Sequence, residues 1–208
     1  MLATCLLAIA LGLRHATDPD HLTAVTTLVA GDREDGVRRA RRLGLAWGLG
    51  HATSLFVFGV PIVLSAAYLP EPAQMAAEAA VGVVIVVLAV RLLRRWRRGE
   101  LGHAHSHGRT RLQAYGIGLV HGVGGSAGVG LLLLAQIHSQ AEALLALTLF
   151  ATFTAISMAV ISTTFGFVMT RDAVAARYLA VVPLIGAASL AFGAWYALGA
   201  IHAVPYVL

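Results

Sequence analysis

The chain has 208 residues, of which 58% are hydrophobic and 12% are charged, with a formal net charge of +5 at pH 7. Soluble domains carry about a quarter charged residues, so this composition is typical of an integral membrane protein. All fifteen basic residues are arginines, and they concentrate in connections between apolar runs. We therefore attribute the basic balance to membrane topology and expect no nucleic-acid partner. The single cysteine, Cys5, excludes an internal disulfide and a paired-cysteine redox site.

Six apolar runs are long enough to cross a bilayer at about 20 residues per span. No stretch predicts a soluble domain, and the N-terminus lacks the positive region of a cleavable signal peptide. The sequence predicts an all-α integral membrane protein with six transmembrane helices, a multi-pass protein of the cell membrane in contact with the lipid bilayer. The spans lie at about 2–30, 43–69, 73–93, 113–137, 142–169 and 178–203.

The arginines predict how the chain is oriented. Five lie at 33–42, seven at 91–111, and Arg171 and Arg177 flank the fifth connection. The termini and the even-numbered connections contain no basic residue. The positive-inside rule therefore places the odd-numbered connections in the cytoplasm and both termini outside.

The first apolar run contains the ionisable segment 14–21, with the sequence RHATDPDH. A charged side chain in mid-bilayer costs at least about 2.5–3.5 kcal/mol, so such a density of ionisable groups indicates a function. Histidine with carboxylate is a ligand set for a divalent transition-metal ion. A buried polar network without metal is the alternative. We expect Arg14 to neutralise a carboxylate rather than to contact metal.

Helical geometry ranks the ligands within this segment. At about 3.6 residues per turn, His15, Asp18 and His21 share one face, and Asp20 points away. Pro19 removes one backbone hydrogen bond and predicts a kink or an unwound turn that could bring Asp20 round. Asp20 is then either a ligand or a partner that orients an imidazole.

Two further histidines lie inside apolar runs, His51 in WGLGHATS and His121 in HGVGGSAG. A lone intramembrane histidine is often a packing residue. However, His21, His51 and His121 lie eight or nine residues from the cytoplasmic ends of their spans. This corresponds to a depth of roughly 12–14 Å from the cytoplasmic end of each helix. This shared depth predicts one metal site, with Thr53 and Ser126 as auxiliary groups.

Alternating histidines, His103, His105 and His107, lie in the hydrophilic connection 94–112. Such a run chelates Ni, Co, Zn or Cu with little discrimination, which predicts a cytoplasmic loop that collects metal. A plain hydrophilic linker is the alternative. A cytoplasmic metallochaperone is a further candidate partner on this side of the membrane.

A weak internal repeat relates the two halves. The segment at Gly12–His15 matches the one at Gly118–His121 at an offset of 106, and Phe58-Gly59 matches Phe165-Gly166 at an offset of 107. Chance matching of common residues is the alternative. Three spans per half would invert the second copy, an architecture that places transport sites near the midplane. The units are a first three-helix repeat at 1–93, a cytoplasmic Arg/His-rich loop at 94–112 and a second three-helix repeat at 113–208.

The run RHATDPDH resembles the HX4DH signature of the nickel/cobalt transporter family, and WGLGHATSL, HAHSH and GLVHGVGGSAG look like its urease-accessory and high-affinity nickel permease branch. Pro19 replaces the more usual Ala, and six spans are fewer than the eight of larger members. The resemblance implies Ni²⁺ or Co²⁺ as transported substrate, with no prosthetic group. It implies a metal-recognition core at His15, Asp18, Asp20 and His21, assisted by His51 and His121.

Other functional classes are less consistent with the sequence. There is no HExxH or GxGD motif of an intramembrane protease and no GxxxxGK[ST] motif for ATP. We therefore expect a transporter rather than an enzyme, with nickel or cobalt uptake as the leading function. Efflux of the same ions and a non-transporting membrane metal sensor are the alternatives.

Overall fold

The structure, a computed structural model, describes residues 1–29, 36–65, 70–101, 110–122, 137 and 139–205. Across these residues the regular elements are seven helices, as the all-α prediction requires. They are α1 (Leu2–His15), α2 (Pro19–Val29), α3 (Gly36–Ser65), α4 (Glu71–Arg97), α5 (Arg111–His121), α6 (Gln140–Met169) and α7 (Asp172–Ala200).

In the described part of the chain, four helices are long and apolar enough to cross a membrane: α3, α4, α6 and the part of α7 from Ala176 to Ala200. The protein is therefore a multi-pass membrane protein. Large hydrophobic side chains such as Leu49, Val57 and Val160 are exposed on these helices, which suits contact with lipid. The remaining predicted spans correspond to the shorter α1, α2 and α5, and residues 123–136 lie outside the described part of the chain.

Several helices extend beyond the apolar runs that predicted them. α3 begins at Gly36 rather than near residue 43, and α7 begins at Asp172 rather than near 178. α4 continues to Arg97, so residues 94–97 are helical and not part of the connection expected at 94–112. Arginine is a good helix former, and its long side chain extends from the membrane into water, so hydropathy marks only the lipid-covered part of each helix.

The first span is broken at the place that Pro19 predicts. α1 ends at His15, and α2 begins at Pro19. Proline has no N–H to donate to the His15 carbonyl, which instead accepts from the Asp18 N–H at 3.1 Å. The Thr17 N–H likewise donates to the Arg14 carbonyl at 2.8 Å. The C-terminal end of α1 and the N-terminal end of α2 therefore meet at this turn.

α1 packs closely against α6. Gly12 faces the Phe150 carbonyl and the Thr154 backbone nitrogen, with no room for a Cβ atom. One turn further along α6, the Ser157 hydroxyl donates to the Leu13 carbonyl at 2.7 Å. A glycine contact and a hydroxyl-to-carbonyl bond thus join the two backbones.

α5 packs against α3 with a similar set of contacts. Gly118 faces the Trp47 carbonyl and the His51 backbone nitrogen, again with no room for a Cβ atom. The Ser54 hydroxyl donates to the Leu119 carbonyl at 2.6 Å. α3 also packs on α6, and α4 packs on α7, so α3 and α6 form the centre of the bundle.

Candidate metal site

Three buried histidines from separate segments meet beside the break in the first span. His15 ends α1, His21 lies in the first turn of α2, and His51 lies in the middle of α3. Their relative exposures are 4%, 1% and 0%. One ring nitrogen from each residue lies within 4.8 Å of the others, a spacing at which the three could bind one metal ion.

The imidazoles are arranged around a common point. The Nε2 atoms of His15 and His51 are 3.1 Å apart. Ring centroids are separated by 4.5 Å for His15 and His21, 4.9 Å for His15 and His51, and 5.1 Å for His21 and His51. The C-terminal end of α1 also lies here, and its partial negative charge favours a cation.

The carboxylates of Asp18 and Asp20 each lie beside an imidazole. Asp18 Oδ2 is 3.3 Å from His15 Nδ1, and Asp20 Oδ1 is 3.2 Å from His21 Nδ1. The second contact has an ion-pair distance without hydrogen-bond alignment, and Asp20 Oδ2 has no hydrogen-bond partner among the described residues. Carboxylates in such positions orient the ring and leave the opposite nitrogen free for metal.

The structure places Arg14 and Thr53 away from this cluster. Arg14 is exposed, and in the described part of the chain the carboxylates pair with histidines rather than with it. Thr53 donates to the Leu49 carbonyl at 2.8 Å and accepts from the Tyr115 hydroxyl at 3.1 Å, so it belongs to the α3–α5 contact. Four further predicted residues lie outside the described ranges: His103, His105, His107 and Ser126.

His121 adjoins the three-histidine cluster without belonging to it. It is the last residue of α5 and is fully buried. Its ring centroid is 5.5 Å from that of His21. His121 Nδ1 donates to the Ile117 carbonyl at 3.3 Å, and Nε2 is buried without a hydrogen-bond partner among the residues described.

Two aromatic residues that the sequence analysis did not select form walls of the site. Trp47 lies 5.5 Å from His21 and 5.9 Å from His121, measured between ring centroids. Its position one turn before His51 on α3 could have indicated this. Phe150 lies 5.5 Å from His15, but it comes from α6, where no ionisable pattern marks it. These rings keep water from the imidazoles and strengthen electrostatic interactions there.

A buried histidine cluster with adjacent carboxylates, beside a broken apolar helix, is consistent with the family resemblance of the sequence. A family model described as high-affinity nickel-transport protein, NicO, matches residues 1–110, more than half of the chain. The chain belongs to the NicO family. The matched part of this NicO protein contains the three clustered histidines and both carboxylates, whereas His121 lies beyond it.

Two curated proteins are similar to this NicO chain. The urease accessory protein UreH of Bacillus sp. (strain TB-90) is 29% identical over 212 residues, covering 94% of this chain and 91% of that protein. The high-affinity nickel transport protein of Cupriavidus necator is 36% identical over 118 residues, covering 49% of this chain and 33% of that protein. No solved structure matches this NicO chain.

Proposed function

We propose that this protein takes up Ni²⁺ across the cell membrane and binds it at His15, His21 and His51. The observation that carries the proposal is the convergence of three buried ring nitrogens within 4.8 Å, from three separate helices. Membership of the high-affinity nickel-transport family supports nickel as the substrate. Co²⁺ is the second candidate substrate because imidazole binds both ions well.

The donor set suits an ion that must leave its water shell inside an apolar bundle. The three imidazoles are neutral ligands of intermediate softness, which favour late first-row metals over Mg²⁺ or Ca²⁺. Asp18 and Asp20 supply negative charge beside His15 and His21. We assign both carboxylates to orienting these rings, and Asp20 Oδ2, which is buried without a hydrogen-bond partner among the described residues, is a candidate additional oxygen donor.

We further propose that the chain consists of two inverted three-helix repeats, 1–93 and 113–208. Equivalent contacts support this: Ser157 bonds to Leu13 as Ser54 bonds to Leu119, and each pair joins one half to the other. The leucines are 106 positions apart, the offset expected from the Gly12 and Gly118 segments, whereas the serines are 103 apart. We therefore propose to align the long helices at an offset of 103 rather than at the offset of 107 suggested by Phe58-Gly59.

The arginine distribution supports a cytoplasmic position for the connection after α4 and for the start of α3. Arg94, Arg95 and Arg97 lie in the last turn of α4, and further arginines lie in the first turns of α3. Both termini would then lie outside. Protease digestion of terminal tags in right-side-out vesicles tests this orientation, and protection of both tags would contradict it.

The function is tested by uptake of radiolabelled nickel into liposomes containing the purified protein. We expect nickel to accumulate inside protein-containing vesicles faster than in empty ones, and to be competed by cobalt more effectively than by magnesium or calcium. Release from preloaded vesicles of known protein orientation distinguishes uptake from efflux. Nickel binding without movement in either direction would identify a sensor and contradict transport.

A further inference from the structure

His15 and His121 occupy equivalent positions in the bundle. His15 ends α1, which packs on α6, and its ring lies 5.5 Å from that of Phe150. His121 ends α5, which packs on α3, and its ring lies 5.9 Å from that of Trp47. Phe150 follows Trp47 at the offset of 103 that also relates the two serines. Each imidazole has the same relation to a helix end and to an aromatic neighbour.

Only one of these two imidazoles is engaged with the cluster. His15 Nε2 is 3.1 Å from His51 Nε2, whereas His121 is not among the three clustered ligands. His121 nevertheless lies next to His21, at 5.5 Å between centroids compared with 4.5 Å for His15 and His21. Its Nε2 is buried without a hydrogen-bond partner in the described residues and is therefore available to bind a metal ion.

The remaining pair of equivalent positions is chemically unequal. His51 corresponds to Thr154 at the offset of 103, and both side chains are fully buried. The Thr154 hydroxyl also has no hydrogen-bond partner among the described residues. A threonine hydroxyl is a much poorer ligand for nickel than an imidazole. The two halves therefore share one strong central ligand, His51, rather than each having its own.

We infer that His15 and His121 alternate as the third ligand of a nickel ion that His21 and His51 hold throughout. This inference rests on the proposed nickel transport function. In the exchange, the bond from nickel to His15 Nε2 breaks and a bond to His121 Nε2 forms. The imidazoles remain neutral, so no proton or electron is transferred.

The packing supplies a way to make this exchange. α1 rests on α6 and α5 rests on α3, each through a glycine, so the two short helices are attached to different central helices. A small rotation of α3 against α6 would then move His15, which is attached to α6, relative to His51, whereas His121 would move together with His51 on the α3 side. Movements of one repeat against the other around a fixed site are the common basis of alternating access.

A double-mutant cycle on nickel binding tests the exchange. The variants are His15→Ala, His121→Ala and the double variant, with His202→Ala as the control because His202 is exposed just beyond the C-terminal end of α7. Each single variant retains one complete ligand set, so we expect its nickel affinity in detergent to fall by less than about tenfold. In the double variant the loss of nickel affinity should exceed the product of the two single losses by at least about tenfold. Such a departure from independent effects shows that the two sites are coupled.

Transport distinguishes exchange from simple redundancy. Both single variants should lose nickel uptake in liposomes by at least about tenfold while still binding nickel, because the cycle requires both states. If the loss of nickel affinity in the double variant equals the product of the two single losses, the exchange is overturned. That result would indicate that His15 and His121 bind the same ion at the same time. Wild-type uptake by His121→Ala would overturn it as well.

Controls separate misfolding and the broader function from this inference. His121→Gln retains side-chain volume and polarity, and it should bind nickel and fail to transport as His121→Ala does. Normal uptake by His121→Gln would show a packing role and overturn the exchange. If wild-type vesicles accumulate no nickel, the proposed function fails. If they accumulate nickel while the binding losses multiply, the exchange alone fails.

Discussion

His15 Nε2 lies 3.1 Å from His51 Nε2, although the two residues are 36 positions apart in sequence. His15 reaches this position because α1 stops there and the turn before Pro19 redirects the chain. His51 reaches it from the middle of a continuous helix. The proposed nickel site is thus built by one helix that breaks and one that does not.

Removing a central imidazole should abolish function. Changing a residue that only supports a metal ligand lowers metal affinity by roughly 10–100-fold. We expect His21→Ala and His51→Ala, which each remove a ligand, to lower nickel affinity by more than that. Uptake should fall to background. Calorimetry on purified protein measures the affinity, and His202→Ala should match the wild type. Wild-type uptake by His51→Ala would disprove the assignment.

The two carboxylates should contribute unequally. Asp20 is buried beside His21, whereas the Asp18 side chain is 20% exposed beside His15. Asp20→Asn should therefore reduce nickel affinity by about 10–100-fold and Asp18→Asn by less, since water screens the more exposed charge. The same calorimetric titration compares the two variants. Equal losses, or a larger loss in Asp18→Asn, would contradict this order.

The close approach of α5 to α3 should be sensitive to one added methyl group. A Cβ at Gly118 would meet the Trp47 carbonyl and come within 2.8 Å of the His51 nitrogen, so Gly118→Ala should destabilise the fold by about 1–3 kcal/mol. A Cβ at Gly116, on the same helix, would meet no atom of the described residues, so Gly116→Ala should be neutral or stabilising by about 0.5–1 kcal/mol. Thermal unfolding in detergent compares them, and equal effects would argue against the packing described.

Nickel binding should weaken in acid. Metal binds only the unprotonated nitrogen, and imidazoles ordinarily gain a second proton near pH ~6.5. Affinity should therefore decrease as the pH is lowered and level off at high pH. Equilibrium titrations in detergent between pH 5 and pH 8 avoid any effect of proton coupling on transport. An affinity that increases as the pH is lowered would be incompatible with histidine ligation.

The histidine-rich connection should be dispensable for conduction. His103, His105 and His107 lie in a hydrophilic stretch that can raise the local metal concentration but offers no apolar environment for a dehydrated ion. Replacing all three with serine should shift the apparent affinity for nickel and preserve the maximal rate of uptake. Complete loss of uptake in a correctly inserted triple variant would place the loop on the transport path.

Much of the first span could be predicted from sequence because its signals are local. Pro19 marks the break through its missing N–H, and the ionisable residues around it stand out against apolar neighbours. The apolar run that predicted α3 starts near residue 43, seven residues after the helix begins, and this difference has another cause. Hydropathy measures the lipid-covered length, whereas a helix continues as long as its backbone can hydrogen-bond, and arginines do not interrupt it.

The second half of the site was harder to predict. Phe150 and Thr154 lie in an apolar helix whose facing surface depends on how α1 packs against it, and that is a tertiary property. The proposed repeat can be recognised in the sequence at Gly12 and Gly118 because the close approach of the helices there allows only glycine. On the long helices sequence identities are too few to suggest an offset, and the offset that we propose comes from the similar hydrogen bonds of Ser54 and Ser157.

Asp18 and Asp20 have one further consequence, for the energetics of the cycle. With both ionised and the imidazoles neutral, their combined charge cancels that of one divalent ion, so the loaded site is electroneutral. The ion-free site carries two negative charges. An inside-negative voltage, worth about 2.3 kcal/mol per charge at 100 mV, therefore acts mainly on the ion-free carrier and favours its return to the outside. For the proposed uptake cycle, this charge balance predicts that the membrane potential acts on the return of the empty protein rather than on the metal-loaded site.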